Sequence, residues 1–173
     1  MIRKVNLEDI KKILSISKNV LFKNQGDYKS GFLLSDPTYE MYESILKKSL
    51  YCYVDEIKNN ITGFLFAYPS DLIEPKDEIH SYLIKKFPKE NFVYIFQVAV
   101  DPKYQREGIG KKLYKQLFDD TKMVKKVTIT SKNPYNIASE KFHLNLGFKK
   151  IDALEYKNGE ASFIYTYTEN NDI

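Results

Sequence analysis

The chain has 173 residues, a length that fits one domain, residues 1–173, with a single hydrophobic core. Hydrophobic residues make up 43% and charged residues 29%, and a net charge of +4, carried by dispersed lysine pairs, argues against nucleic acid as the main partner. The single cysteine, Cys52, excludes an internal disulfide, and without a signal peptide or a long apolar stretch we expect a cytoplasmic protein with no membrane partner.

The first half of the chain predicts a strand, two helices and a β-hairpin. Asn6, with Asp9 three positions later, is typical of a helix N-terminus, and Pro37 is expected at the first position of a second helix. The expected ranges are a strand at 2–5, helices starting near 6 and 36, strands at 50–56 and 61–68 joined by a turn at 58–60, and an insert at 69–92 with a helix opened by Pro75.

The second half alternates strands and helices on either side of a glycine-rich turn. A strongly apolar run at 93–100 predicts a buried strand, and Gly147 is expected to end a helix as a left-handed residue. The other expected ranges are helices at 109–124 and 134–146 and strands at 127–130, 148–156 and 161–168. We find no repeat, low-complexity tract or linker that would divide the chain.

The turn between residues 105 and 110 has the composition of a phosphate-binding site. Its sequence is Gln-Arg-Glu-Gly-Ile-Gly, and the two glycines permit positive φ and keep side chains off the backbone. Free N–H groups at the start of the next helix attract anions, and Arg106, Lys111 and Lys112 add positive charge beside them. This chemistry fits a pyrophosphate, while an ordinary strand-to-helix turn stays open on these local features.

Two other phosphate-binding motifs are excluded. A Walker A loop requires glycine at position 105 and Ser or Thr at 112, where this chain has Gln105 and Lys112. A Rossmann fingerprint requires a small residue at 113 and lies early in a βαβ unit, whereas Leu113 occupies that position and the turn lies past the middle of the chain.

Two longer stretches resemble motifs of the GNAT superfamily of N-acetyltransferases. Residues 93–118 resemble the central motif, a strand followed by Val-Asp-Pro-x-Tyr-Gln-Arg-x-Gly-Ile-Gly and a helix. Residues 136–148 resemble the next motif, Asn-x-Ala-(x)4-Tyr-x-x-Leu-Gly-Phe. Both stand in the family's order and at its usual separation, and the predicted order of elements agrees over nearly the whole chain except 69–92.

The resemblance implies the α/β (α+β) GNAT fold, with a mixed central β-sheet flanked by helices and two central parallel strands that splay apart. Acetyl-coenzyme A is expected in this wedge, with its pantetheine arm along the central strand and its pyrophosphate on the glycine turn. The implied cofactor-binding residues are Val98, Ala99, Val100, Gln105, Arg106, Glu107, Gly108, Ile109, Gly110, Lys111, Asn136 and His143, and no metal is expected.

The reaction that the resemblance implies is direct attack of an amine on the thioester, which needs no covalent intermediate and no role for Cys52. His143 occupies the place of the family's frequent catalytic tyrosine and is predicted to protonate the departing thiolate. At the position of the general-base glutamate of the histone-acetylating branch the chain has Tyr94, a poor base at neutral pH. Asp55, Glu56 and a water chain are the alternative bases.

Other classes of function stay open at this point. A non-catalytic coenzyme A-binding module would keep the glycine turn but have no transferase activity. An acyltransferase for longer acyl groups would keep the glycine turn and the activity. A pure interaction protein would not need Gly108 and Gly110. The acceptor, an amine on a small molecule or a protein, cannot be read from the sequence, and a homodimer is compatible with it.

Overall fold

The structure, a computed structural model, describes residues 1–24, 30–122 and 124–169. The strands within these ranges are β1 (Ile2–Lys4), β2 (Tyr51–Ile57), β3 (Asn60–Pro69), β4 (Phe92–Val100), β5 (Lys125–Asn133), β6 (Lys149–Glu155) and β7 (Ala161–Tyr167). The α-helices are α1 (Ile10–Asn19), α2 (Tyr39–Lys48), α3 (Glu78–Lys86), α4 (Ile109–Asp120) and α5 (Ile137–Asn145).

The strands form one mixed sheet in the order β1-β2-β3-β4-β5-β7-β6. The pairing of β4 with β5 is parallel, and the other neighbouring pairs are antiparallel. A mixed central sheet flanked by helices confirms the fold class predicted from the sequence.

The two central strands separate part of the way along their length. Their parallel pairing joins residues 92–95 of β4 to 125–128 of β5 and ends at Ile95 and Thr128, although both strands continue. On its other edge β4 has a β-bulge, because Phe66 pairs with Gln97 and Ala67 with Ile95. Such a bulge bends and twists its strand, and the structure confirms the predicted splay.

Helices cover both faces of the sheet because successive strand residues point to opposite sides. On one face, Ile13 of α1 and Tyr42 of α2 pack against Phe64 and Phe66 of β3, and Leu83 of α3 extends this layer. On the other face, α4 and α5 together cover the sheet. The α4 residues Ile109, Leu113, Tyr114 and Leu117 pack there with Leu65, Ala67, Val93 and Ile95.

Two helix starts differ from the sequence prediction. Helix α2 begins after Thr38, whose side chain accepts a hydrogen bond from the Met41 amide, so Pro37 lies outside the helix. Helix α3 begins after Asp77, which caps the amide of His80, rather than at Pro75. In both cases a side-chain acceptor for the free amides sets the boundary more strongly than the preceding proline does.

Gly63 of β3 lets α4 approach the sheet closely. A Cβ atom at this position would lie 2.9 Å from Cγ2 of Ile109, the first residue of α4, and 3.1 Å from the carbonyl oxygen of Ala99. Distances this short require a neighbour to move, and one of these neighbours is backbone. Glycine at 63 therefore sets the position of the first turn of α4 relative to β4.

We expect Gly63→Ala to lower the free energy of unfolding by about 1–3 kcal/mol, because the added methyl group overpacks this contact. Denaturant unfolding measures the change. Gly31→Ala is the matched control, because the nearest atom to its new methyl group is 4.0 Å away, and it should change stability by less than about 1 kcal/mol. Equal stabilities for Gly63→Ala and the unsubstituted protein would show that α4 does not depend on this contact.

Candidate active site

Two adjoining cavities open where β4 and β5 separate. The first, the turn cavity, has a volume of ≈ 490 Å³ and lies between the free edge of β4 and the start of α4. The second, the wedge cavity, has a volume of ≈ 470 Å³ and lies between β4 and β5. They form one groove, because both are lined by Phe32, Leu33, Val98, Asn136 and Ser139.

The glycine-rich turn enters α4 through two left-handed residues, Arg106 with φ 69° and Gly108 with φ 77°. Gly108 is the N-cap of α4, and no side chain of the described residues caps this helix end. The N–H groups of the first turn, residues 109–111, therefore have no partner within the helix. Together with the helix dipole they form a site for an anion.

Gly110 has a different function from Gly108. It lies within α4, and a Cβ atom there would be 3.0 Å from Cζ of Phe142 on α5. Of the two glycines, Gly108 alone has positive φ, whereas Gly110 lets α5 pack against the first turn of α4. The sequence analysis assigned the same role to both.

Most residues predicted to contact the cofactor line the turn cavity. They are Val98, Ala99, Val100, Gln105, Arg106, Gly108, Ile109, Gly110, Lys111 and Asn136. Glu107 is exposed and lines neither cavity, and His143 lines the wedge cavity. The structure thus brings together the strand, the turn and the start of α5, three segments that the sequence analysis selected separately.

Asn136 holds two segments of the groove wall together. Its side-chain oxygen accepts a hydrogen bond of 3.1 Å from the Ser139 amide and so caps α5, and its nitrogen donates one of 2.9 Å to the Phe32 carbonyl. The residue is only 4% exposed. Asn136 therefore positions residue 32 and α5, and its contact with a cofactor stays a prediction.

His143 is buried in α5 with both ring nitrogens hydrogen bonded. Its Nδ1 lies 2.7 Å from the carbonyl oxygen of Ser139, and its Nε2 lies 2.6 Å from the hydroxyl of Tyr114. A carbonyl oxygen can only accept, so Nδ1 carries the proton and the Tyr114 hydroxyl donates to Nε2. The neutral ring satisfies both contacts.

The environment of His143 favours this neutral form. Burial lowers the pKa of the imidazole to about 4, and the hydrogen bond to the Ser139 carbonyl opposes the shift only in part. At neutral pH the ring therefore has one proton, which it already donates to that carbonyl. These contacts argue against His143 as the proton donor for the departing thiolate. His143 lines the wedge cavity, and its contact with a cofactor stays a prediction.

The base candidates named from the sequence lie outside the groove. Tyr94 is buried, and burial raises its pKa well above the ordinary value. Asp55 accepts a hydrogen bond of 2.7 Å from Thr62, and Glu56 forms an ion pair with Arg3. Neither cavity is lined by Tyr94, Asp55 or Glu56, so none of the three contributes to this groove.

The wedge cavity also contains polar residues that the sequence analysis did not select. Gln97, on β4, accepts a hydrogen bond from the Tyr42 hydroxyl. As a polar residue within the apolar run 92–100, it could have been recognised from the sequence as a candidate site residue. The others come from distant segments, so their convergence depends on the tertiary fold. They are Ser35, Asp77, Glu78, Thr128, Thr130, Ser131, Tyr156, Asn158, Glu160 and Ser162.

The insert at 69–92 reaches the groove through the start of α3. Asp77, Glu78 and Ile79 line the wedge cavity, while Leu83 and Phe87 pack in the core under the same helix.

Within the described residues, no three His, Cys, Asp or Glu side chains are grouped closely enough to bind a metal ion. In the same part of the chain, every helix falls short of the length and hydrophobicity needed to cross a membrane.

Comparison with known proteins identifies the family. The sequence model of the Acetyltransferase (GNAT) family matches residues 19–148, a range that includes the turn, β4 and most of both cavities. The chain belongs to this family. It is therefore an acetyl-coenzyme A-dependent N-acetyltransferase, as the two sequence motifs predicted.

Individual relatives differ in their acceptors. The chain is 25% identical over 162 residues to the L-2,4-diaminobutyric acid acetyltransferase of Vibrio parahaemolyticus, covering 87% of this chain and 85% of that protein. Its fold resembles Arabidopsis thaliana Naa50 in complex with the bisubstrate analogue CoA-Ac-MVNAL (TM-score 0.68, 15% identity, 98% of each chain). It also resembles the Drosophila melanogaster polyamine N-acetyltransferase (TM-score 0.65, 13% identity, 98% of this chain and 99% of that one).

The low pKa of His143 predicts how stability depends on pH. The folded-state value of about 4 lies below the ordinary value of 6.5, so the unfolded chain binds the extra proton first and stability falls as pH decreases from 6.5 to 4. Between pH 7 and pH 5 we expect His143 to account for a loss of about 2 kcal/mol in the free energy of unfolding. Denaturant unfolding at both pH values measures it.

His143→Phe is the control, because it removes this titration and leaves every other ionisable group in place. The drop in stability from pH 7 to pH 5 should be smaller in this variant by the amount given above. Equal drops in the two proteins would show that the imidazole is not held neutral in the folded state.

Proposed function

We propose that the turn cavity binds acetyl-coenzyme A and that the wedge cavity receives the amine acceptor. The observation that carries this proposal is the meeting of an uncapped helix N-terminus and an unpaired strand edge in one groove. The pyrophosphate would bind the amides of residues 109–111 with Arg106 and Lys111 beside them. The amides of the pantetheine arm would pair with backbone groups of β4 at Val98–Val100, beyond the point where pairing with β5 ends.

In this arrangement the reacting atoms would meet where the two cavities adjoin. There the amine nitrogen forms a bond to the thioester carbonyl carbon, the carbon–sulfur bond breaks, coenzyme A leaves as a thiolate, and the nitrogen loses a proton. The residues of the groove hold the two substrates in line, and such positioning lowers the barrier by making the reaction effectively unimolecular. The acceptor reaches this point from the side lined by β5, α3 and the β6–β7 turn.

The burial of Cys52 supports direct transfer rather than an acyl-enzyme. This residue is 1% exposed and lines neither cavity. Burial raises the pKa of its thiol to about 12, so the nucleophilic thiolate is rare at neutral pH.

For His143 we propose a positioning role in place of proton donation. The neutral ring accepts from the Tyr114 hydroxyl and donates to the Ser139 carbonyl, which fixes α5 against α4 beside the groove. A cytoplasmic location, a homodimer and a cofactor contact by Glu107 stay predictions from the sequence.

Two neighbouring lysines test the pyrophosphate site. Lys111 lines the turn cavity, whereas Lys112 does not. We expect Lys111→Ala to weaken acetyl-coenzyme A binding several-fold, up to about tenfold, because a charge beside the phosphates is lost. Calorimetric titration at low and high salt measures the effect, which should shrink as salt screens the charge. The control Lys112→Ala should bind as the unsubstituted protein does, and equal losses in both variants would refute this site.

Acetyl transfer itself is tested by the release of free thiol from acetyl-coenzyme A in the presence of amines. The panel contains L-2,4-diaminobutyrate, after which the Vibrio relative is named, together with 1,4-diaminobutane, butylamine and a short peptide with a free N-terminus. We expect thiol release that depends on at least one amine, with an equal amount of acetylated product by mass spectrometry. Tight binding of acetyl-coenzyme A without amine-dependent release would instead indicate a non-catalytic binding module.

A further inference from the structure

The two cavities of the groove have opposite charges. Within the described part of the chain, the turn cavity is lined by Arg106 and Lys111 and by no acidic side chain. Among the residues that the structure describes, the wedge cavity is lined by the carboxylates of Asp77, Glu78 and Glu160 and by no lysine or arginine. This separation occurs in a chain whose net charge is +4, so it does not follow from the overall composition.

The three carboxylates are oriented by neutral donors or by a histidine. Glu78 accepts from the backbone amide of Lys157 at 3.3 and 3.4 Å, and Glu160 accepts from the side chain of Asn158 at 3.0 Å. Asp77 accepts from the His80 amide at 2.8 Å, and its second oxygen lies 2.9 Å from Nδ1 of the same histidine. Among the described residues, no lysine or arginine forms an ion pair with any of the three. Their negative charge is therefore available to an occupant of the cavity.

An independent feature at the inner end of the wedge cavity also indicates an occupant. Gln97 lines the cavity and is only 6% exposed, and its side-chain oxygen accepts a hydrogen bond from Tyr42. Its side-chain nitrogen forms no hydrogen bond with any residue in the described part of the chain. The nitrogen therefore keeps its capacity to donate, and a ligand in the wedge cavity that offers a hydrogen-bond acceptor at this point would bind it.

We infer that the acceptor is a small amine that carries a second ammonium group, and that Asp77, Glu78 and Glu160 select it. The inference rests on the proposed function, because it names the substrate class of the same wedge cavity. One amine lies at the junction with the turn cavity and is acetylated as a free base. The second ammonium group binds the carboxylates on α3 and the β6–β7 turn, which a monoamine of the same length cannot do.

Charge recognition of this kind has a limited but measurable effect. Asp77 and Glu78 are exposed and Glu160 is half-buried, and an ion pair at such a site changes affinity by up to about fivefold. Two or three pairs acting on one ammonium group then give a preference of about tenfold or more. A peptide N-terminus has one ammonium group and would gain no second contact unless a basic side chain followed it.

The test compares 1,4-diaminobutane with butylamine, which differ by one amino group. We expect kcat/KM for the diamine to exceed that for butylamine by about tenfold or more, and the ratio to fall to about fivefold or less in the double variant Glu78→Gln/Glu160→Gln, in which Asp77 alone is left to pair with the ammonium group. Asp77 is left in place because it caps α3. The matched control is Glu155→Gln, at an exposed position on β6 outside both cavities, and it should keep the full ratio.

A second pair of acceptors identifies what Gln97 binds. L-2,4-diaminobutyrate carries a carboxylate in addition to both amino groups, and 1,4-diaminobutane does not. If Gln97 binds that carboxylate, Gln97→Leu should lower kcat/KM for diaminobutyrate by about tenfold and leave the ratio of diamine to butylamine unchanged. An equal loss with diaminobutyrate, the diamine and butylamine would show that Gln97 instead contacts the amine being acetylated. A fall in the ratio of diamine to butylamine would contradict the assignment of that selection to the carboxylates.

Other outcomes would overturn the inference. Equal use of diamine and butylamine, a preference for the peptide, or an undiminished ratio in the double variant would show that the carboxylates do not select the acceptor, while acetyl transfer itself would stand. If no amine is acetylated, the proposed function fails instead. Calorimetric titration of 1,4-diaminobutane into the complex with coenzyme A then tests whether the carboxylates bind the second ammonium group. Binding that the double variant loses supports the inference, and absence of binding refutes it.

Discussion

The end of backbone pairing between β4 and β5 at Ile95 and Thr128 determines the rest of the architecture. Beyond this point the edge of β4 that faces β5 has polar backbone groups without a strand partner, inside a domain where such groups are costly. The surrounding elements are arranged around that gap. The β-bulge at residue 96 bends β4 away, α5 lies across the opening, and Phe32 and Leu33 line both cavities. A groove at this position is thus a consequence of how the sheet is built.

The positioning of α4 and α5 follows the same logic at closer range. Gly63 brings the first turn of α4 against β3 and β4, and Gly110 brings α5 against that turn. Next to this contact, Tyr114 and His143 form a buried hydrogen bond between the two helices. Both helices are therefore held by close contacts at the end where they meet the groove, which is where an anion-binding turn has to be rigid.

The features predicted correctly from sequence are those that depend on local chemistry. A left-handed Gly108, the capping pair Asn6 and Asp9, and a strand followed by a turn and a helix are set by neighbouring residues. The role of His143 could not be predicted in this way, because its partner Tyr114 lies 29 residues away and its burial depends on the packing of α4 against α5. Similarly, the wedge cavity combines Asp77 with Glu160, whose proximity follows only from the tertiary structure.

The separation of charges between the cavities has a consequence for how this fold can change. The basic residues lie on the turn before α4, whereas the acidic residues lie on α3 and on the turn between β6 and β7. These acidic segments contribute nothing to the lining of the turn cavity. A change in the sequence or length of these segments can thus alter which molecule enters the wedge cavity, while the turn cavity, our proposed site for acetyl-coenzyme A, stays the same. The acceptor half of the groove is in this sense interchangeable, and relatives with one common fold can diverge in the molecules they modify.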